Sequence, residues 1–187
     1  MAAENLSAER LARLERVADE LEIRDCLTRF SRGMDRFDRE TYRSAFHPDA
    51  ETAAGPFVGN AWDCYEWAMP MHAAGQILTH HGLLNTTIDI VGDTAHVETY
   101  YLFVARNVDE SVWMAGGRYL DRFERRDGEW RIALRTNIIE WGGLPPAMPL
   151  PFADVPDIAG NGVSARDHSD PSYARPLVNR RAPSRPG

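Results

Sequence analysis

Apolar residues recur at helical spacing through the first third of the chain. Ser7 is suited to cap a helix, and an apolar stripe follows it at intervals of three and four residues. A second helical register starts at Asp19, where Glu22 completes the spacing of a capping box. Its apolar face comprises Ile23, Cys26, Leu27, Phe30 and Met34. The pattern leaves open whether the two registers form two helices or one.

Two further helical segments are shorter. Asp38 is placed to cap a helix that includes Phe46 and ends at Pro48, because proline cannot continue a helix. An aromatic-rich segment then runs from Trp62 to Met71 and is interrupted at Pro70. The N-terminal part of the chain is therefore predicted to be mainly helical.

The second half of the chain changes to β-branched and aromatic residues, which favour strands. Thr86–Val91 and Ala95–Val104 flank the turn pair Gly92-Asp93, which predicts a hairpin. A second hairpin follows, with Asp127-Gly128 as the strongest turn signal in the chain. Three or four long strands thus come after three or four helices. This order predicts an α+β fold, with the helices packed on one face of a curved antiparallel sheet.

The composition changes again after Trp141. Nine of the 12 prolines lie beyond that residue, where apolar residues become sparse. We therefore predict a domain over residues 1–141 and a proline-rich extension over residues 142–187 that builds no core of its own. Leu144–Ile158 carries enough apolar residues to wrap over the domain or a neighbouring subunit, and the remainder is expected to be mobile.

Length and charge limit the classes of function. The 187 residues, 43% of them hydrophobic, suffice for one domain with a substantial core. A net charge of −7 leaves no basic surface for a run of phosphates, so nucleic acid is not an expected partner. All 21 basic residues are arginine, which excludes a Schiff-base lysine and a phosphate-loop lysine.

The sequence lacks the patterns that mark several kinds of site. Cys26 and Cys64 stand in no metal-ligand spacing and are interpreted as reduced thiols of a cytoplasmic protein. The six histidines show no H-x-H or H-E-x-x-H spacing, and no phosphate-binding glycine loop occurs, so neither a metal nor another cofactor is expected. No signal-peptide pattern and no long apolar stretch occurs, so no membrane association is expected.

Four polar side chains, at three places in the chain, stand where burial would be costly. Asp35 follows the apolar face of the second helical register, where a carboxylate is either solvated or paired. His80 and His81 are adjacent on a strand, so at most one of them faces a given cavity. Arg135 lies in mid-strand, and it either covers a sheet edge or points into a polar pocket. The residues alone leave these alternatives open.

Several motifs together resemble a known family. They are Met34-Asp35-Arg36-Phe37-Asp38, Phe46-His47-Pro48-Asp49-Ala50, His81-x-x-x-Asn85, and the run from Tyr119 to Ile132 with its Asp127-Gly128-Glu129-Trp130 turn. On these residues the chain resembles a SnoaL-like member of the nuclear-transport-factor-2-like superfamily, from about Ala18 to Trp141. The resemblance is nearest to the branch that holds scytalone dehydratase, hexachlorocyclohexane dehydrochlorinase and bile acid 7α-dehydratase.

The resemblance implies a cone of curved antiparallel sheet, closed by helices around a deep pocket. In the dehydratase branch an Asp–His pair faces that pocket, and the matching positions are Asp35 and His81. The arginine that assists departure of the leaving group in the dehydrochlorinase matches Arg135. Related enzymes are commonly trimers, so a homo-oligomer is expected, with a dimer as the alternative.

Three positions depart from the enzymes of that branch. Met34, Phe30 and Thr52 stand where those enzymes have a tyrosine, a lysine and a tryptophan. The substrates of those enzymes are therefore not expected to be the substrate of this chain. Structural subunits also use this fold, so the fold alone does not decide the function.

The reaction implied is a cofactor-independent β-elimination, of the dehydratase or lyase type, on a small apolar cyclic substrate. His81 is expected to take a proton from carbon, Asp35 to orient it and Arg135 to stabilise the leaving group. The expected pocket walls are Phe30, Met34, Phe57, Trp62, Trp67, Met71, Tyr101 and Asn137. The alternatives are an isomerase or polyketide-type cyclase on the same fold, and a non-catalytic binding or structural subunit.

Overall fold

The structure, a computed structural model, describes residues 7–183, which form three α-helices and six strands. The helices are α1 (Ala8–Asp35), α2 (Arg39–Ser44) and α3 (Ala61–Gly75). The strands are β1 (Phe46–Ala54), β2 (Phe57–Asn60), β3 (Gln76–Val91), β4 (Thr94–Asn107), β5 (Val112–Arg126) and β6 (Glu129–Gly143). Among residues 7–183, no helix combines the length with the apolar character that a bilayer span requires.

The N-terminal helical pattern forms one helix, α1, and not two. Ser7 caps it as predicted, with its hydroxyl accepting a hydrogen bond from the Arg10 amide at 3.3 Å. The sequence pattern leaves open whether Asp19 starts a second helix, and the structure places Asp19 inside α1. Its carboxylate accepts hydrogen bonds from Trp130 Nε1 at 2.8 Å and from Arg125 Nη1 at 3.0 Å. Asp19 therefore ties the middle of α1 to the last hairpin.

The segment around Phe46 is a strand and not the end of a helix. α2 ends at Ser44, and β1 pairs in parallel with β6 and antiparallel with β2. The pairing with β6 is irregular between Phe46 and Glu51, and Pro48, which has no amide hydrogen to donate, lies in that gap. The helical prediction fails because apolar residues buried on both sides of a helix–strand junction mimic one helical face.

α3 runs unbroken through Pro70, so the predicted interruption is wrong. Asn60 caps this helix by accepting a hydrogen bond from the Trp62 amide at 2.9 Å. A proline inside a helix removes one backbone hydrogen bond, and the other turns of this 15-residue helix keep theirs. α3 ends at Gly75, directly before β3.

Six strands form one curved sheet that does not close into a barrel. Their order is β2-β1-β6-β5-β4-β3, with β1 and β6 parallel and the other neighbours antiparallel. The predicted antiparallel sheet is thus corrected to a mixed sheet, because the sequence pattern assigns β1 to a helix. The helices cover one face, with α1 against β3 and β6, and α3 against β1 and β2. This arrangement confirms the predicted α+β fold class.

Both predicted hairpin turns are present. Gly92 has a φ of 61° in the β3–β4 turn. In the β5–β6 turn, Asp127 and Gly128 have φ values of 53° and 83°, and positive φ at both central residues is the mark of a type I′ turn. This turn starts the pairing of Arg126 with Glu129.

The sheet contains a close backbone approach at Gly116 and Gly117. The pairing of β5 with β6 shifts register between these two residues. A Cβ on Gly117 would lie 2.0 Å from the Ile138 carbonyl oxygen, and one on Gly116 would lie 2.4 Å from the Trp141 ring. These positions therefore require glycine, and the irregularity bends the two strands where they pass behind the cavity described below.

The hydrophobic core lies between α1 and the concave face of the sheet. Its largest fully buried side chains include Trp130, Phe46, Phe123 and Ile23. These residues fill the space beneath the middle of α1. Beyond its last turns the packing opens into a cavity, which is where the polar residues singled out from the sequence come together.

The extension contacts the domain through residues 165–173 rather than through Leu144–Ile158. The apolar side chains of the earlier segment are largely exposed, and Phe152 is 71% exposed. Arg166, Asp170 and Tyr173 instead bond to the α3–β3 junction and to the turn between α1 and α2. The division of the chain into a domain and an extension at residue 141 stays a prediction.

Candidate active site

A cavity of about 350 Å³ lies between the helices and the concave face of the sheet. All three helices and every strand except β2 contribute to its walls, and most of the lining side chains are apolar or aromatic. Its polar side chains, apart from tyrosine hydroxyls, are Thr52, His72, Gln76, His81, Arg135 and Asn137. An apolar cavity with a few converging polar groups is the usual form of a small-molecule site.

Asp35, the last residue of α1, is bound to β3 through its carboxylate. Its Oδ1 accepts a hydrogen bond from the Thr79 hydroxyl at 2.9 Å and lies 2.6 Å from His81 Nδ1. Its Oδ2 accepts a hydrogen bond from the His81 amide at 2.8 Å. A carboxylate can only accept, so Nδ1 is the nitrogen that carries the proton. Nε2 is consequently the nitrogen available to take up another proton.

His81 lies on the cavity wall, with only 8% of its side chain exposed. Its ring packs against the ring of Phe103 at 4.8 Å and that of Phe30 at 6.0 Å between centroids. His80 is exposed on the opposite side of β3, as the alternation of side chains along a strand predicts. The two neighbouring histidines are thus separated, and His81 is the one that borders the cavity.

The environment of Asp35 favours its charged form. Burial alone would raise the pKa of this carboxyl, but the hydrogen bonds and charge of His81, together with the Thr79 hydroxyl, hold the pKa below its ordinary value. Asp35 is therefore ionised at neutral pH. In that form it fixes the tautomer of the imidazole and stabilises positive charge on the ring.

Arg135 on β6 is paired with Asp121 on β5. Nε and Nη2 of the arginine each donate to one carboxylate oxygen at 2.7 Å, and both side chains are buried. The guanidinium lies 4.0 Å from the ring centre of Phe30 and 4.3 Å from that of Tyr119. Burial opposes the charge of Arg135, but Asp121 more than offsets this and raises the pKa of the guanidinium. A fixed positive charge thus borders the cavity.

Two buried polar atoms on the cavity wall have no hydrogen-bond partner among residues 7–183. They are Nη1 of Arg135 and Oδ1 of Asn137. The two residues are separated by one position on β6 and therefore share a face of the strand. A buried donor or acceptor left unpaired is costly, so such atoms point to a ligand or a water that completes them. They mark a polar end in a mainly apolar cavity.

A second hydrogen-bonded pair lines the cavity at the α3–β3 junction. Nδ1 of His72 lies 2.5 Å from Oε1 of Gln76. Burial lowers the pKa of His72 below its ordinary value, so this imidazole is neutral at pH 7. The sequence analysis did not single out this pair, because a histidine and a glutamine four residues apart across a helix end carry no distinctive pattern.

Both cysteines are buried thiols. Cys64 lies on the cavity wall and Cys26 in the core, and neither forms a disulfide. Burial raises the pKa of Cys64 to about 11 and that of Cys26 to about 12. Neither thiol is therefore a ready nucleophile at neutral pH. In the part of the chain that the structure describes, no three His, Cys, Asp or Glu side chains converge as a metal site.

Most residues predicted for the pocket walls do border the cavity. They are Phe30, Met34, Trp67, Met71, Tyr101 and Asn137. Phe57 and Trp62 do not line it, and their prediction is corrected. Phe57 packs against Trp67 with ring centres 5.5 Å apart, and Trp62 lies under the Arg43 guanidinium at 4.9 Å. Phe57 thus packs against α3, and Trp62 packs α3 against α2, so neither side chain encloses a ligand.

The sequence analysis missed two residues that hold the site together, Thr79 and Asp121. Thr79 stands two positions before His81, and the alternation along a strand is a signal that could have found it. Asp121 was harder to find, because counting back from the β5–β6 turn pairs it with Leu134. A register shift at Arg122–Phe123 brings it opposite Arg135 instead.

A cone of curved sheet around a pocket is the architecture of a SnoaL-like protein. The chain belongs to that family, because the model of the SnoaL-like domain matches residues 15–136. The match includes Asp35, His81 and Arg135 and ends before the extension. No curated protein matches the chain significantly.

Solved structures share this fold over most of their length. A hexachlorocyclohexane dehydrochlorinase of type 2 is 19% identical, with a TM-score of 0.67, over 74% of this chain and 97% of the other. A type 3 dehydrochlorinase from Novosphingobium barchaimii is 20% identical, with a TM-score of 0.65, over 74% and 99%. A candidate scytalone dehydratase from Novosphingobium aromaticivorans is 22% identical, with a TM-score of 0.62, over 73% and 95%. At these identities the similarity shows a shared fold.

Proposed function

We propose that the protein is a lyase that catalyses a β-elimination on a small, largely apolar cyclic molecule without a cofactor. The observation that carries the proposal is the 2.6 Å contact between Asp35 Oδ1 and His81 Nδ1, on the wall of an apolar cavity. An imidazole whose Nδ1 is bound to a carboxylate and whose other nitrogen is unprotonated is a typical general base. The fold it shares with dehydrochlorinases is consistent with this class of reaction.

The elimination is a proton transfer coupled to loss of a leaving group. Nε2 of His81 takes a proton from a substrate carbon, and the electron pair of that C–H bond forms a new double bond. The bond from the neighbouring carbon to the leaving group breaks, and the leaving group departs with the bonding pair. Asp35 stabilises the imidazolium that forms, and release of the proton to the leaving group or to water restores the base.

Arg135 supplies stabilisation of the leaving group, which the elimination needs in addition to a base. Its guanidinium is already fixed by Asp121 and by two aromatic rings, so it does not have to reorganise during the reaction. The unpaired Nη1 is the donor available to a departing hydroxide or halide, or to a developing enolate oxygen. The neighbouring Oδ1 of Asn137 favours a substrate that also carries a hydrogen-bond donor at this end.

The cavity limits the size and character of the substrate. A volume of about 350 Å³ with mostly aromatic and aliphatic walls suits a compound of one or two rings. The polar groups of Arg135, Asn137 and His81 lie on its wall, so the ring is expected to carry few polar substituents. Oxygenated or halogenated cyclic compounds fit this description.

The expected homo-oligomer, a trimer by resemblance, forms part of the same proposal.

The alternatives receive less support from the geometry. An isomerase in which Asp35 alone shuttles the proton would need that carboxylate on the cavity wall, whereas His81 stands there instead. A binding or structural subunit would be favoured by a filled cavity or by an Asp35 paired with an arginine. The cavity is open, and the Asp35 carboxylate is bonded to Thr79 and His81.

An elimination that reports on the base itself tests the proposal before the natural substrate is found. The ring opening of 5-nitrobenzisoxazole needs one base to remove a carbon-bound proton, and the phenolate it releases is coloured. The wild-type protein is expected to turn this apolar compound over. His81→Gln and Asp35→Asn are each expected to lower kcat/KM by about a hundredfold or more.

His80→Gln is the matched control, because it changes the neighbouring histidine on the exposed side of the same strand. It is expected to keep the wild-type rate. Thermal unfolding of all variants shows whether each is folded. Equal rates in the wild type and a folded His81→Gln variant would contradict the assignment of His81 as the base.

A further inference from the structure

The first turns of α1 are exposed on every side, yet they are not uniformly polar. All of residues 8–18 are exposed to solvent, and the helix is tied to the last hairpin only from Asp19 onwards. Four large apolar side chains in and just after these turns are between 47% and 63% exposed: Leu11, Leu14, Val17 and Leu21. A helix that shows an apolar stripe to water normally has a partner that covers it.

The exposed stripe lies on the side of α1 that faces away from the core. Leu21 is 63% exposed, whereas Ile23, two positions later, is fully buried. Each residue turns an α-helix by about 100°, so Leu14 and Ile23 point to opposite sides of the helix. The rest of the domain, which packs on the Ile23 side, therefore does not cover the stripe.

The spacing of the stripe is that of a coiled-coil seam. Leu11, Leu14, Ala18 and Leu21 occupy alternate intervals of three and four residues, which are the a and d positions of two heptads. The next a position is Asp25, which is exposed and would bring like charges together across a symmetric seam. The seam therefore ends after Leu21. Such a pattern fits the same stripe of a second copy of this chain.

Charged residues beside the seam indicate how the two copies are oriented. Arg10 occupies the g position before Leu11, and Glu15 occupies the e position after Leu14, and both are exposed. In a parallel pair, a g residue faces the e residue five positions later on the other helix, so Arg10 meets Glu15 of the second copy. Two-fold symmetry makes this contact twice. An antiparallel pair would instead place the e positions, with Glu15, beside each other.

We propose that residues 10–21 of α1 form a parallel two-stranded coil with the same residues of a second copy. The leucines of the seam become buried between the helices, and Arg10 pairs with Glu15 across them. Two heptads make a short seam, so the association is expected to depend on protein concentration. The inference goes beyond the proposed function and does not depend on it.

Sedimentation equilibrium of the full-length protein tests whether the stripe joins two copies. Leu14→Glu places a charge in the seam, and Ala12→Glu is the matched control, because it places the same charge at an exposed position outside the seam. With rising concentration, the average mass of the wild type and of Ala12→Glu is expected to approach twice that of Leu14→Glu. Thermal unfolding shows that each variant is folded. Equal masses of wild type and folded Leu14→Glu at every concentration would overturn the proposal.

Reversal of the flanking charges tests the partner of Arg10. Arg10→Glu and Glu15→Arg are each expected to weaken the association by about threefold or more, because two ion pairs are replaced by like charges. The double variant Arg10→Glu/Glu15→Arg restores opposite charges and is expected to regain the wild-type association. A double variant that associates no more tightly than either single variant would contradict the pairing.

A disulfide test determines the orientation. In a parallel pair the d positions face each other, so oxidation is expected to link two chains of Leu14→Cys. Arg16→Cys, on the outer side of the helix, is the control and is expected to stay largely unlinked. The native cysteines are buried, so the introduced thiol is the one that reacts. Equal linking of the two variants would overturn the proposal, as would a Leu14→Cys chain that links only to an Ala18→Cys chain, because that result requires antiparallel helices.

Discussion

Asp121 and Arg135 face each other across β5 and β6 and share two hydrogen bonds of 2.7 Å with almost no exposure to solvent. The pair places a guanidinium beside the cavity at the cost of burying two charges. Such pairs contribute little net stability compared with apolar residues, but removing one partner leaves the other charge uncompensated. The pair is therefore accounted for by the role proposed for Arg135 at the cavity rather than by a contribution to stability.

A double-mutant cycle tests this view of the pair. Asp121→Leu is expected to lower the free energy of unfolding by about 3–5 kcal/mol, because it leaves the buried Arg135 charge without a partner. The double variant Asp121→Leu/Arg135→Met should recover most of that loss. Urea unfolding at pH 7 measures the free energy of unfolding of the single and the double variant. The exposed pair of Arg16 with Glu20 is the control, and Arg16→Met should cost no more than about 1 kcal/mol. Losses that simply add in the double variant would contradict the account.

Thr79 is predicted to stabilise the charged form of Asp35. Thr79→Val keeps the shape of the side chain and removes the hydroxyl that donates to Oδ1 at 2.9 Å. Loss of a hydrogen bond to a charged group is expected to cost about 1.5–3 kcal/mol in the free energy of unfolding and to raise the pKa of Asp35. Urea unfolding and carboxyl titration by NMR measure the two effects. Thr87→Val, at an exposed position on the same strand, should change stability by less than about 0.5 kcal/mol.

The lowered pKa of Asp35 predicts a defined loss of stability in acid. A carboxyl whose pKa is lower in the folded state stabilises that state above its unfolded pKa, which is near 3.9. This contribution is lost as the pH falls through the folded value. Asp35→Asn cannot titrate, so the stability difference between wild type and variant should shrink from pH 5 towards pH 2. Urea unfolding at a series of pH values in this range measures the difference. A difference that is constant throughout would show that Asp35 does not titrate as described.

Gly117 is predicted to be essential for the bend in β5. Gly117→Ala would bring a methyl group to 2.0 Å from the Ile138 carbonyl oxygen, so the two strands must separate. We expect a loss of at least about 1–3 kcal/mol, the usual cost of overpacking. Gly143→Ala is the control, because a Cβ there meets no atom within 4 Å. Thermal and urea unfolding compare the stabilities of the Gly117→Ala and Gly143→Ala variants. A Gly117→Ala variant as stable as Gly143→Ala would show that the strands separate without penalty.

The features of the fold that follow from local chemistry were predictable from the sequence. The cap at Ser7 and the turn at Asp127-Gly128 depend on residues next to each other, and both are found as expected. The predictions failed where distant contacts decide the structure. Asp19 matches a capping box, yet Trp130 and Arg125 bind its carboxylate from the far end of the chain. The parallel pairing of β1 with β6 has no local signal at all.

In the candidate site, too, local features were predictable from the sequence and features set by distant contacts were not. Alternation along β3 separates His80 from His81, but nothing within the strand indicates which of them meets Asp35, 46 residues earlier. The family resemblance supplied that choice. The partner of Arg135 was not predictable by counting from the turn, because a register shift intervenes.

The Cys64 thiol provides a chemical probe of whether the cavity is occupied. Its thiol is protonated and lies on the cavity wall, so an alkylating reagent reaches it through the cavity. Cys26 is a fully buried residue of α1, so its labelling is expected to follow larger openings of the core. A compound that occupies the cavity should slow labelling of Cys64 more than that of Cys26. The ratio of the two rates therefore reports occupancy directly, and libraries of cyclic compounds can be ranked by it before any reaction is known.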